Sequence, residues 1–252
     1  MSAEARIERY EQAYQDDYGY EAWLVRARRG ATLAAMKGAR RVVEIGCGTE
    51  PLFGEAGDQA DAVERWVTVE PAEAFRREAE ALAEREPRLR VVGGFFEETL
   101  DAVRDALGGD ADFVVIDGLL HELPDPMAML RAARDVLAPG GALHVSVPNA
   151  LSLHRRLARA MGLIADVHAL SDRNVALEQA RVYDPSSLRA ALEEAGFAQI
   201  ALGGHTIKPF TNGQMEAVER ALGPGVLEGL ASLGEELPEL AAEITADARR
   251  GS

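Results

Sequence analysis

Cysteine is nearly absent from this chain: Cys47 stands alone among 252 residues. One thiol cannot close an intrachain disulfide or supply the ligands of a cysteine-bound iron–sulfur cluster, and such usage fits a reducing compartment. Lysine is almost as scarce, with only Lys37 and Lys208 among 27 basic residues, and aromatic residues make up 6%. Positive charge is in overall deficit, since 42 acidic side chains outnumber the basic ones and leave a net charge of −15. A broad phosphate-neutralising surface is therefore not expected, which argues against nucleic acid or an anionic membrane as partner. Long apolar runs are also missing. No stretch approaches the roughly 18 apolar residues of a membrane span. The opening Met1-Ser2-Ala3-Glu4-Ala5-Arg6 has no apolar segment behind a basic start, so the expected location is cytoplasmic.

What is present is enough chain to bury roughly 70–75% of its extended surface without staples. Residues 4–37 carry Ile7, Tyr10, Tyr14, Trp23, Leu24 and Ala27 at three- and four-residue spacings, which predicts two helices broken near Asp16-Asp17-Tyr18-Gly19. Short apolar runs follow: Arg41–Ile45, Trp66–Glu70, Leu89–Gly93, Asp112–Asp117 and Ala142–Val147. Helical patterns such as Ala72–Arg85 and Met127–Leu137 separate them. Strands apolar almost throughout, alternating with helices, predict a doubly wound α/β fold with a mostly parallel sheet covered on both faces. Pro139-Gly140-Gly141 reads as a helix-to-strand turn, and Asp184-Pro185 as a helix start that runs to Gly196. Phe197–Leu202 and Thr206–Phe210, joined through Gly203-Gly204, read as an antiparallel pair closing a seven-stranded sheet. Residues 213–250 read as acidic helices forming a cap or homodimer surface. The expected organisation is a helical lid over 1–37, a core over 38–212 with an insertion at 150–182, and a helical cap over 213–252.

The strongest motif is Val42-Val43-Glu44-Ile45-Gly46-Cys47-Gly48-Thr49-Glu50. Glycines at the carboxyl end of a strand let the backbone turn sharply and approach a ligand, and that end is where open α/β sheets bind. Position 51 is proline, so the third glycine of a dinucleotide fingerprint is missing, and no Walker loop occurs. Glu70 closes the second strand, where a carboxylate can accept two hydrogen bonds from ribose hydroxyls.

Taken with Ile116-Asp117-Gly118 at the end of strand four and Leu137-Ala138-Pro139-Gly140-Gly141-Ala142 before strand five, this pattern resembles class I S-adenosylmethionine (SAM)-dependent methyltransferases. The resemblance covers residues 38–210 or so. Leu119-Leu120-His121-Glu122-Leu123-Pro124-Asp125-Pro126 and Val147-Pro148-Asn149 are similar to the small-molecule branch that includes quinone-biosynthesis, sugar and natural-product enzymes. The resemblance implies SAM as cofactor, S-adenosylhomocysteine as product, and a cofactor site made of Glu44, Gly46, Cys47, Gly48, Glu70, Pro71, Gly94, Phe95, Phe96, Asp117, Gly118 and Leu119. Many relatives carry an acidic residue after strand three that meets the adenine amine. This chain has Gly93-Gly94-Phe95-Phe96-Glu97 instead, which leaves Phe95 or Phe96 to pack on the ring and backbone groups or Glu97 to meet its edge.

Histidine is the side chain suited to removing a proton near neutral pH. His121 follows strand four, where the methyl group should point, and is the first candidate base. Its competing role is to cap or line the cofactor loop. His154, beside Arg155 and Arg156, is the second candidate, with a solvated basic face as its alternative. His144 lies inside strand five and reads as a core histidine, while Cys47 reads as a small filler between glycines. The histidines at 121, 144, 154, 168 and 205 form no His-x-x-x-His pair, and no metal is expected. Tyr14, Tyr18 and Trp23 belong to an aromatic cluster suited to covering an acceptor pocket, and Asn149 is a further candidate for acceptor contact. The expected activity is methyl transfer to a small polar acceptor, favouring a hydroxyl. Alternatives are an amine or peptide terminus as acceptor, or a SAM-binding regulatory subunit.

Overall fold

The structure, a computed structural model, describes Ile7 and residues 19–170, 174–175, 179–223 and 225–251. Its frame is a seven-stranded sheet: β1 (Arg41–Ile45), β2 (Arg65–Glu70), β3 (Leu89–Gly93), β4 (Ala111–Asp117), β5 (Leu137–Pro148), β6 (Phe197–His205) and β7 (Glu243–Arg250). The order is β3-β2-β1-β4-β5-β7-β6. β7 runs antiparallel to both neighbours, and the remaining pairs are parallel. The order reverses between β1 and β4, and at such a switch point the connections leave in opposite directions and open a crevice above the strand ends.

Side chains alternate across the sheet, so each strand feeds two cores. Val43, Ile45, Val67, Val69, Val114, Ile116, Leu143 and Val145 face one of them. They pack against Val103 and Leu107 of α3 (Leu100–Leu107), Leu130 and Ala133 of α4 (Pro126–Val136), and Leu188 and Leu192 of α6 (Pro185–Glu194). Val42, Trp66, Leu89, Phe113 and Val115 face the other, covered by Leu33 of α1 (Tyr20–Ala35), by Met36, and by Leu52 and Phe53. Ile116, Leu130 and Leu143 have no exposed surface, and each such side chain contributes about 2 kcal/mol of transfer free energy. Local chemistry sets the helix starts. Asp125 accepts the Ala128 N–H ahead of Pro126, and Asp184 and Ser187 form a reciprocal capping box ahead of α6.

Further helices are α2 (Glu73–Ala83), α5 (Leu153–Ala160) within the insertion, α7 (Asn212–Leu222) and α8 (Gly225–Glu236). Among the described residues no helix is long and apolar enough to cross a membrane. The first of the two helices expected within 4–37 lies outside the described residues apart from Ile7. The second is α1.

The C-terminal part departs from the sequence reading. Residues 206–210 form no strand, and 213–252 is not a purely helical cap, because β7 enters the sheet between β5 and β6. Glu243–Arg250 is rich in alanine and charge, which reads as helix. Yet Ile244, Ala246 and Ala248 are buried at every second position, the period of a strand. Gly203 and Gly204 lie within β6 rather than at a turn, and a Cβ on Gly204 would come within 2.9 Å of the Pro238 carbonyl oxygen. Pro139-Gly140-Gly141 is likewise no simple turn. It lies in the early part of β5, where the register against β4 shifts between Ala111 and Phe113.

Candidate active site

A cleft of about 800 Å³ opens above the carboxyl ends of β1 and β4 and extends to β5 and the start of β7. One wall is the turn after β1, where Gly46 and Gly48 take φ of +75° and +57°, a conformation in which a Cβ would be strained. The Gly46 N–H donates to the Val69 carbonyl at 2.9 Å, fixing the turn to β2.

Two carboxylates hold this turn from behind. Glu44 is buried and accepts from the Leu52 N–H at 2.7 Å, the Thr68 hydroxyl at 2.9 Å and the Trp66 indole N–H at 3.1 Å. Burial raises its pKa while these donors oppose the rise. Its oxygens are thus committed to the fold. Glu70 is also buried and accepts the Ala72 N–H at 2.9 Å. Burial pushes its pKa up to about 7 against hydrogen bonds from the backbone of Ala72, Gly48 and Cys47. Glu70 therefore stands directly behind the glycine turn rather than in the cleft wall. Cys47 is buried, and its thiol pKa is raised by burial and then by Glu44 and Glu70, which suits a filler rather than a nucleophile.

Helix α1 forms the opposite wall. Its Arg29 guanidinium binds the Glu50 carbonyl and the Glu55 carboxylate in the segment after the glycine turn. Thr32 donates to Asp117 Oδ2 at 2.6 Å, and Ser146 donates to Asp117 Oδ1 at 2.9 Å. Arg28 donates to Glu243 Oε1 at 3.0 Å. One helix thus ties the β1 turn, the end of β4 and the start of β7 together.

The far end of the cleft is polar. His121 is 5% exposed; its Nδ1 is buried with no hydrogen-bond partner, and its Nε2 lies 3.6 Å from Glu122 Oε1. Burial lowers its pKa to about 4; Arg28 acts in the same direction and Glu243 opposes it. Glu122 in turn accepts from Gln179 at 3.0 Å. Burial works against ionising Glu243, but Arg28 and His205 more than offset it and hold its pKa down to about 2. His154 Nδ1 lies 3.1 Å from the Ser152 hydroxyl. Burial, Lys208 and Arg155 lower the pKa of His154 to about 3.

The cleft brings together Glu44, Gly46, Cys47, Gly48, Asp117, Gly118, His121, Asn149 and His154 from the sequence-predicted set. It does not include Glu70, Pro71, Gly94, Phe95, Phe96, Leu119 or Trp23. Phe96 is 2% exposed within the main core, so it is not an adenine platform; Phe95 is half-buried outside the cleft. Leu119 packs against the same core and approaches Gly46 from behind. Trp23 is not an acceptor contact either, because it packs with Tyr20, Leu24, Met215 and Leu227 between α1 and the C-terminal helices. Tyr14 and Tyr18 lie outside the described residues. Asn149 reaches the cleft, but its amide is spent on the Glu239 and Ala241 carbonyls and the Leu151 N–H. His144 is a core histidine, bonded to Asp247 at 2.7 Å and stacked on Phe113.

Arg28, Arg29, Glu122, Gln179, Lys208 and Glu243 also line the cleft and were not singled out from sequence. Glu122 carried a signal as part of the motif after strand four, and Lys208 as one of two lysines in the chain.

The glycine turn and the cleft running across to Asp117 suit a ligand that joins a nucleoside to an amino acid, such as SAM. A family model described as a methyltransferase domain matches residues 14–202. Among solved structures, the chain is similar to a SAM-dependent methyltransferase from Archaeoglobus fulgidus, with a TM-score of 0.57 and 19% identity over 90% of this chain and 93% of that one. Human N-acetylserotonin methyltransferase in complex with SAM gives a TM-score of 0.57 and 16% identity, covering 100% of this chain and 57% of that one. An N-methyltransferase from Bradyrhizobium japonicum in complex with S-adenosylhomocysteine gives 0.54 and 13%, covering 94% and 90%. At these identities the likeness is one of fold. No curated protein sequence matches the chain.

Proposed function

The chain belongs to the methyltransferase domain family, and on that premise we propose that it transfers the SAM methyl group to a hydroxyl of a small polar acceptor bound at the far end of the cleft. The observation that carries this reading is His121, a buried imidazole in the wall of the cleft that the glycine turn opens, with its Nε2 3.6 Å from Glu122 Oε1.

Bound SAM supplies a methyl group already made electrophilic by its sulfonium, so the protein's part is alignment, exclusion of water and handling of one proton. Gly46 and Gly48 leave space for the amino-acid part, and Asp117, fixed by Thr32 and Ser146, borders it. The ribose falls to Glu70, which would exchange its backbone amides for hydroxyl donors. Of the two His121 nitrogens, Nδ1 is sealed, while Nε2 lies 3.6 Å from the carboxylate of Glu122, which lines the cleft. Nε2 would take the proton that the acceptor hydroxyl gives up on methylation. Glu122, Gln179 and Lys208 supply hydrogen-bonding partners around the acceptor.

The test is incubation of the protein with trideuteromethyl SAM and a host metabolite extract, followed by mass spectrometry and fragmentation of the labelled product. Label on oxygen supports the reading, and label on nitrogen or carbon overturns the hydroxyl assignment. With the acceptor in hand, His121→Ala should lower turnover about a hundredfold without changing S-adenosylhomocysteine affinity. Unchanged turnover removes His121 as base.

A further inference from the structure

Apolar side chains do not reach the surface evenly. Among the described residues eight large ones are exposed, and four of them, Met161, Leu163, Leu170 and Val175, lie in the insertion that follows β5. Met161 is 63% exposed and Leu163 70%. The ending of α5 is the cause. Gly162 takes φ of +74°, its N–H donates to the Arg159 carbonyl at 3.0 Å, and the Leu163 N–H donates to the Ala158 carbonyl at 2.9 Å. Such a left-handed ending satisfies the last carbonyls of a helix, and an apolar residue at the position of Leu163 frequently folds back onto the preceding turn. Here it stays in the open. Leu170 lies along the same lip, because Arg155 of α5 donates to the Val167 carbonyl at 2.6 Å and to the Ala169 carbonyl.

Charge is uneven in the same place. Acidic residues number 42 in 252, yet none occurs from 136 to 165, a stretch that holds Arg155, Arg156 and Arg159. Arg156 and Arg159 are exposed. Arg156 donates to the Leu151 carbonyl at 2.7 Å, and among the described residues neither arginine pairs with a carboxylate. Asp166, the first acid after the stretch, accepts from the His168 N–H at 3.0 Å. The net charge of −15 therefore describes the whole molecule and not this lip. At physiological salt, charges more than about 8 Å away are largely screened.

Shape and charge together select what this lip meets. A protein partner would have to offer a groove for each protruding side chain. A lipid surface adapts to them: aliphatic side chains enter the acyl boundary while guanidinium groups stay among the headgroup phosphates. We propose that the lip formed by α5 and the turn after it docks on an anionic lipid surface, with Met161 and Leu163 inserted and Arg156 and Arg159 at the phosphates. The same helix lines the cleft through His154 and Arg155, so docking sets one wall of the site beside the lipid.

The test is flotation of the full chain with vesicles of phosphatidylcholine containing about 30% phosphatidylglycerol, against phosphatidylcholine alone, at about 0.1 M salt. The chain should float with the anionic vesicles only and be released as salt rises toward about 0.5 M. Leu163→Ser should weaken binding about tenfold and Arg159→Gln about fivefold, and the double variant should not float. Leu222→Ser, at a side chain 71% exposed at the end of α7, should float like the wild type. All four side-chain changes are at the surface, so thermal midpoints should stay within about 2 °C of the wild type. Absence of flotation with anionic vesicles, or flotation that Leu163→Ser and Arg159→Gln leave unchanged, overturns the proposal. So does a self-associated form or a bound protein that these two substitutions abolish while vesicles are ignored. Flotation needs neither SAM nor an acceptor, so its result is independent of the methyl-transfer reading.

Discussion

Arg28 on α1 and Glu243 on β7, 215 residues apart in sequence, meet at 3.0 Å in the wall of the cleft. The contact joins the first described helix to the strand that enters the sheet last. The polar end of the site is therefore complete only when β7 has been inserted between β5 and β6.

Arg28→Met leaves a largely buried carboxylate facing two histidines with its guanidinium partner gone. At pH 7 this should cost about 3 kcal/mol, read as a lower denaturant midpoint. Glu243 has its pKa held at about 2, below the ordinary 4.5. Its stabilising contribution is thus full above the unfolded carboxylate range and lost as pH falls toward 2. The gap between variant and wild type should narrow accordingly in acid.

Glu70 behaves in the opposite sense. Burial raises its pKa from 4.5 to about 7, so the folded state binds the extra proton. Its contribution to stability is complete below the unfolded value and lost as pH rises through about 7. Ribose binding, by contrast, asks for the ionised form. S-adenosylhomocysteine affinity measured by calorimetry should therefore fall about tenfold for each unit below that pKa, and Glu70→Gln should remove this pH dependence. An affinity independent of pH between 5.5 and roughly 8 would exclude Glu70 as the ribose contact.

Glu44→Ala removes the acceptor shared by Leu52, Trp66 and Thr68. Three buried donors lose their partner together, with an expected cost of about 3 kcal/mol or more. Because the same carboxylate holds the segment after the glycine turn, cofactor affinity should fall with stability. Thr68→Val, which removes one donor, should cost about 1 kcal/mol and spare binding.

Cys47 should be inert. Its thiol is buried and its pKa is raised by burial and by two carboxylates, so a thiol-specific reagent at pH 8 should react with it only after unfolding. Cys47→Ala should retain S-adenosylhomocysteine binding. Rapid labelling in the native state would contradict the closed packing of the turn.

The parallel half of the sheet was legible because β1, β2, β3 and β4 end within a residue or so of their apolar runs, and Gly46 and Gly48 mark a turn that a Cβ would strain. β7 was illegible because Glu-Ile-Thr-Ala-Asp-Ala-Arg-Arg has a helix-forming composition. Its alternation of Ile244, Ala246 and Ala248 is weak when the buried side chains are as small as alanine. Phe96 and Trp23 were misplaced for a related reason: an aromatic side chain near a ligand loop fits a core and a pocket equally well by type, and only the neighbours decide.

The sequence by itself determined the strand-and-helix alternation, the glycine turn, the acids at 44 and 70 and a histidine after β4, because each depends on local backbone or on chemistry at fixed spacing. Tertiary structure decided the direction each acid faces, since a buried carboxylate turns to whichever donors the neighbouring strands present. It also decided that Arg28 and His205 converge on Glu243. No local pattern can announce that meeting, because the register of β7 between two other strands creates it.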